Sequence, residues 1–284
     1  MNFILTAHNL AQHFCRERSR TLRILGVLSF LILVAAPVFG APIAGEEAIS
    51  SPPRIQAFQP GETLTYDISW SNIFAAGTAV LEVKRDMAPE GRDVLKFFAT
   101  GRSVGLVDAL FKVHDLVQSV FDPQIMQSLT YDSDENYGKK RKRVALIFDH
   151  AQRTVVSRVN EDQPKTLSIP DPVQDLLSSF YYLRAVKDVG RDKTIIFDVY
   201  EDGKIWSVEV YTLGREVVKT PAGEFSTINL KTYPKHNGVF QKKGVVFIWL
   251  TDDSRKVPVL MKVTLPVGSF VFTLREMHQD GDAR

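Results

Sequence analysis

The sequence is poor in the residues that usually announce chemistry. It has one cysteine, Cys15, and that residue precedes the long apolar run near the N-terminus. Everything after that run is free of thiols, which excludes disulfides, thiolate metal ligands and a cysteine nucleophile there. It also excludes a lipid-anchoring cysteine, which would have to follow the run. Histidine is scarce as well. His114, His150, His236 and His278 stand far apart, and neither H-x-x-x-H nor H-E-x-x-H spacing occurs. A helical zinc site is therefore absent, and nothing in the pattern calls for a metal or a cofactor. An excess of one charge is missing too. The full chain has 35 basic and 33 acidic residues; residues 1–40 hold four Arg and one Glu, leaving 35 − 4 = 31 basic and 33 − 1 = 32 acidic, a net of −1. Global charge gives no case for nucleic acid as a partner.

What is present first is an export signature. Arg16, Arg18, Arg20 and Arg23 lead into an uncharged apolar stretch at 24–39, which ends in small residues around Gly40 and Ala41. A basic lead, a short apolar core and a small-residue exit make a secretory signal peptide over residues 1–40. The run falls short of the roughly 20 apolar residues that a spanning helix needs, so a retained N-terminal anchor is the weaker alternative. The expected location is periplasmic. Residues 41–57, rich in Ala, Pro, Ser and Glu, read as a flexible leader. Residues 58–276 read as one β-rich domain, and 277–284 as a polar tail.

Within the domain, strand follows strand. Leu64, Tyr66, Ile68 and Trp70 alternate with polar neighbours, the period of a half-buried strand. About a dozen such runs follow, separated by turn signals. Asp202-Gly203 between 194–200 and 204–212 is the strongest short hairpin signal, and Pro221-Ala222-Gly223 marks another tight turn. Regular strand–helix alternation is missing, which argues against a doubly wound parallel sheet. The one convincing amphipathic helix is 171–184. Leu176, Leu177, Phe180, Tyr181 and Leu183 share a broad face, with Gln174, Asp175, Ser178 and Ser179 turned the other way. The fold class is mainly β: a curved antiparallel sheet, or incomplete barrel, covering this single helix.

Three patterns touch on chemistry. Gly101-Arg102-Ser103-Val104-Gly105 matches the G-x-S-x-G nucleophile elbow, but that elbow belongs to a parallel sheet with crossover helices, and the expected context is a turn between strands. No catalytic residue is assigned. The run Lys139-Lys140-Arg141-Lys142-Arg143 suits a protected sheet edge or solvated face, with an anionic envelope surface as the alternative partner. Asp252-Asp253-Ser254-Arg255-Lys256 reads as a turn whose aspartates bond their own backbone.

Several pieces together resemble a known family. They are Pro60-Gly61-Glu62-x-Leu64-x-Tyr66-Asp67-x-x-Trp70, Gly77-Thr78-Ala79, Phe121-Asp122-Pro123, residues 171–184, Pro221-Ala222-Gly223-x-Phe225 and Trp249-Leu250-x-Asp252-Asp253-x-Arg255-x-x-Pro258-Val259. In this order they are similar to the exported bacterial domain-of-unknown-function family 3108, over nearly all of residues 58–276. The resemblance implies an exported envelope protein and carries over no catalytic residues. A looser likeness in fold is to periplasmic lipoprotein carriers, in which an open half-barrel covers helices and an acyl cavity.

The functional expectation is a non-enzymatic periplasmic protein that binds a lipid or other amphipathic envelope molecule between helix and sheet. Tyr66, Trp70, Leu177, Phe180, Tyr181, Trp206, Phe247 and Trp249 are the candidate lining residues. The alternatives are an envelope hydrolase for glycan or ester substrates, and a scaffold that docks a partner through a sheet edge. N-terminal sequencing of the exported chain checks the compartment: the expected first residue lies just after Gly40 or Ala44.

Overall fold

The computed structural model describes residues 55–280, apart from 111, 188, 192, 237–238, 241–244 and 266–267. The expected signal peptide and most of the leader lie outside the described residues. The chain runs β1 (Thr63–Trp70), β2 (Phe74–Met87), β3 (Asp93–Ser103), α1 (Gly105–Leu110), β4 (Val113–Asp122), β5 (Gln127–Tyr137), β6 (Lys140–Asp149), β7 (Thr154–Val159) and β8 (Lys165–Ser168). It continues with α2 (Leu176–Ala185), β9 (Ile195–Glu201), β10 (Lys204–Thr220), β11 (Gly223–His236), β12 (Val239–Phe240), β13 (Val246–Thr251), β14 (Pro258–Leu265) and β15 (Gly268–His278).

Among the described residues, fifteen strands belong to one antiparallel sheet in the order β8-β7-β6-β5-β4-β3-β2-β1-β15-β14-β13-β11-β10-β9, with β12 beside β11. Two meanders thus meet where the first strand pairs with the last. The alternation that identified β1 is visible in its burial: Leu64, Tyr66 and Ile68 are all inside. The hairpin expected at Asp202-Gly203 forms with both residues at positive φ, 52° and 76°, the type I′ geometry that demands this pair. The basic stretch 139–143 is not at an edge, because β6 lies between β5 and β7. The short β8, which is an edge, carries Lys165 and sits between Pro164 and Pro170, features that discourage pairing with another chain.

The helix differs most from expectation. It spans Leu176–Ala185 rather than 171–184, because Gln174 forms a parallel bridge with Val199 and Asp175 caps the helix in extended geometry. Its polar side also faces inward: Gln174, Asp175, Ser178 and Ser179 are buried along with Leu177, Phe180, Tyr181 and Leu183. The physical reason is a polar socket in the sheet. The Asp175 carboxylate accepts from the backbone N–H of Leu177 (2.7 Å) and Ser178 (2.8 Å), and from the hydroxyls of Ser119 (2.5 Å) and Ser128. At the other end, the Arg184 guanidinium is bidentate on Glu62 (2.6 and 2.8 Å) and donates to the carbonyls of Ala57, Lys256 and Arg255. Gln174 Nε2 donates to Met126 O in the β4–β5 turn, while Arg184 reaches the β13–β14 loop. Both turns lie at the same rim, so α2 lies across and closes that end of the curved sheet.

The sheet stays open between its edge strands β8 and β9, and side chains of β6 reach across toward β9 and its turn. Phe148 of β6 meets Tyr200 of β9 edge to face at 6.2 Å, and Lys142 Nζ bonds Asp202 Oδ1 at 2.9 Å. His150 Nδ1 stands 3.6 Å from Asp171. Inside this seam Asp115 and Glu135 face each other across β4 and β5, both buried. Burial pushes Glu201 up to about 7, with Asp202 adding to the rise and Lys142 opposing it.

Two predictions follow from these contacts. Replacing Arg184 with Met strands the buried Glu62 carboxylate and is expected to cost about 3–5 kcal/mol, read from the urea midpoint. The Glu201 carboxyl holds its proton more tightly folded than unfolded, so its contribution is intact below its ordinary value of 4.5 and is lost as pH rises through about 7. Thermal stability is therefore expected to fall between about pH 5 and pH 7, and Glu201→Gln to flatten that slope.

Candidate functional site

The eight aromatic and aliphatic residues expected to line one cavity do not come together. Tyr66, Leu177, Phe180 and Tyr181 are buried in the main core. Tyr181 stacks on Phe97 at 3.8 Å and meets Phe58 edge to face at 5.0 Å, and the Tyr66 hydroxyl donates to Pro258 O at 2.8 Å. These contacts fill the space beside α2 with side chains. Trp70 packs edge to face on Phe270 at 4.7 Å, near the β1–β2 turn. Trp206 lies by His236 on the β10–β11 hairpin. Phe247 and Trp249 project from the side of β13 opposite Ile248 and Leu250, so they stand on the outer surface. There Trp249 Nε1–H donates to Glu216 Oε1 at 2.6 Å, and Lys231 Nζ sits 5.5 Å over the Phe247 ring.

The nucleophile pattern is structural. The Ser103 hydroxyl donates to Asp108 Oδ1 (2.6 Å) and accepts from Val113 N–H (2.8 Å), tying α1 and the start of β4 to the end of β3. His114, in the next strand, is exposed opposite Arg102, while its neighbour Asp115 is buried. Among the described residues no group of three His, Asp or Glu is placed to hold a metal ion. The aspartate turn behaves as its residues suggest: Asp253 Oδ1 accepts from the backbone N–H of Arg255 and Lys256 and from the Thr251 hydroxyl.

A concavity of about 340 Å³ lies instead on the outer face of β4–β7. Cross-strand register builds it in two rows, and a third row continues the same face beside it. The upper row is Leu116, Asp134, Arg143 and Asn160; the middle row is Gln118, Asp132, Ala145 and Arg158; the lower row is Val120, Thr130, Ile147 and Val156. Alanine in the centre, between longer side chains on both neighbouring strands, leaves the hollow. The upper row is charged and hydrogen-bonding. The lower row is apolar apart from Thr130, with Ile147 58% exposed, a costly position for a large aliphatic side chain.

Electrostatics divide the charges of this groove. Asp134 pairs with Arg141 and Arg143, and hydrogen bonding from Arg141 holds its carboxyl down at about 2. Asp132 differs: its pKa is raised by desolvation alone, and no hydrogen bond or ion pair engages its carboxylate among the described residues. The basic run is likewise divided. Arg141 and Arg143 are taken by Asp134 and Lys142 by Asp202, leaving Lys139 and Lys140 projecting into solvent at the β5–β6 turn. Sequence reasoning missed this groove because its middle row gathers positions 118, 132, 145 and 158, which only the strand register brings side by side.

Comparison with solved structures places the fold. A β-barrel-like protein of domain of unknown function DUF1849 from Brucella abortus superposes with a TM-score of 0.54 at 12% identity, covering 77% of this chain and 97% of its own. A candidate exported protein with a YmcC-like fold from Bacteroides fragilis overlaps 78% of this chain and 97% of its own at 13% identity, but with a TM-score of 0.34 it superposes too loosely to bear on the fold. No curated protein matches the sequence. Among the described residues no helix is long and apolar enough to cross a membrane. The model of a family described as protein of unknown function, DUF3108, matches residues 65–275, the span of the sheet from β1 to β15, and the chain belongs to that family.

Proposed function

We propose that this chain is an exported cell-envelope protein that binds an amphipathic envelope molecule without transforming it, and that the groove over β4–β7 is where it does so. The observation that carries this reading is the gradient along this face, from the charged row of the groove at Asp134, Arg143 and Asn160 to the apolar row beside it, where Ile147 is exposed and Val156 half-buried. Such a surface matches a molecule with a polar head and an apolar tail. Its volume lies at the lower end of the range for small-molecule pockets, enough for a head group and the first part of a chain.

The expected cavity between helix and sheet gains no support, since aromatic rings occupy that space. The arginine-rich leader and short apolar run support the export part of the reading. Lys139 and Lys140 stand beyond the polar end of the groove, at the β5–β6 turn. That is the side from which an anionic membrane surface would present the head group.

Ala145→Trp tests the site without touching the core, because the residue lies on the outer face. Binding of a fluorescent fatty acid by the delipidated chain is expected to fall at least tenfold while the melting temperature stays within a few degrees. Binding equal to that of the unaltered chain would remove the groove from consideration.

A further inference from the structure

Two charges in the groove have no partner of their own. Asp132 and Arg158 share the middle row, with only Ala145 between them. Two strand spacings put their Cα atoms about 10 Å apart, too far for the short Asp132 side chain to meet the guanidinium without crossing the hollow. No hydrogen bond or ion pair holds either group among the described residues, whereas the charges of the row above are paired to one another through Asp134. The hollow is therefore flanked by one free anion and one free cation.

We infer that the groove selects a zwitterionic amphiphile whose head carries a primary ammonium and a phosphodiester, the head-group chemistry of phosphoethanolamine lipids. The inference rests on the amphiphile-binding reading above and adds the head group to it. The phosphodiester lies toward Arg158, where a planar guanidinium offers two parallel N–H donors to two oxygens. Asn160, on the following strand position of the same face, flanks it. The ammonium lies against Asp132 and gives this exposed carboxylate the opposite charge and hydrogen bonds that no protein group supplies among the described residues. The acyl chain leaves over Ala145 toward Ile147 and Val156. A purely anionic head satisfies Arg158 but brings like charge toward Asp132. A quaternary ammonium gives Asp132 charge without a hydrogen bond.

The measurement is calorimetric titration of the mature chain with three dihexanoyl lipids of identical tails, carrying phosphoethanolamine, phosphocholine or phosphoglycerol heads. The phosphoethanolamine lipid is expected to bind about tenfold more tightly than the phosphoglycerol lipid, with phosphocholine between them. Asp132→Asn is expected to erase that preference by weakening the phosphoethanolamine lipid most and the phosphocholine lipid less while leaving the phosphoglycerol lipid no weaker, and Arg158→Gln to weaken all three. Equal affinities for the three lipids, or a preference that survives Asp132→Asn, overturn the head-group inference while leaving amphiphile binding in place. Failure of all three to bind removes both.

Discussion

Everything in this fold depends on two buried charges at the ends of one short helix. Asp175 and Arg184 are each shut from water, and each meets a full complement of opposite charge or hydrogen-bond donors and acceptors drawn from elsewhere in the chain. Arg184 alone ties the segment before β1, at Ala57 and Glu62, to the loop between β13 and β14. A hydrophobic helix would slide or rotate against the apolar sheet at little cost. A buried guanidinium bidentate on one carboxylate admits a single position, because any shift strands both charges. The helix is less a greasy filler than a crossbar bolted at both ends.

The sheet itself is open, and side chains reach across its gap. Backbone pairing stops at β8 and β9, yet Phe148 with Tyr200 and Lys142 with Asp202 bring the two sides of the gap together. Side-chain closure is weaker and more conditional than a ladder of backbone bonds. It also concentrates ionisable groups, since the seam gathers Glu135, Glu201 and Asp202 around one lysine. The interior thus has a firmly fastened end at α2 and a titratable flank at the seam.

The strands were legible because a half-buried antiparallel strand writes its burial into alternate residues, and Asp202-Gly203 and Pro221-Ala222 punctuate them. The family was legible for similarly local reasons. The helix was half legible. Its apolar face read correctly, but a periodic pattern cannot distinguish a polar face turned to solvent from one seated among Ser119 and Ser128, which lie some 50 residues away in the chain. Glu62, inside the Pro-Gly-Glu turn, gave no local sign that it answers Arg184 across 122 residues. The groove was not legible at all, because an alanine is a hollow only once the strands beside it are known.

The pairing of β1 with β15 has its own consequence for the timing of folding. The first and last strands form the middle of the sheet, each flanked by a meander that grows outward from it. Gln279 and Asp280 bond back to Pro60 and Gly61, clasping the two termini of the domain. Each meander can zip locally, through neighbours joined by short turns, but the two halves share a backbone ladder only through β1 and β15, whose partners lie 200 or more residues apart in sequence, as Asp67 and Arg275 do. Contacts of such long range are formed late and slowly. The sheet's centre therefore stays open until β15 is present, a topology in which an emerging polypeptide cannot complete its core before that strand is made.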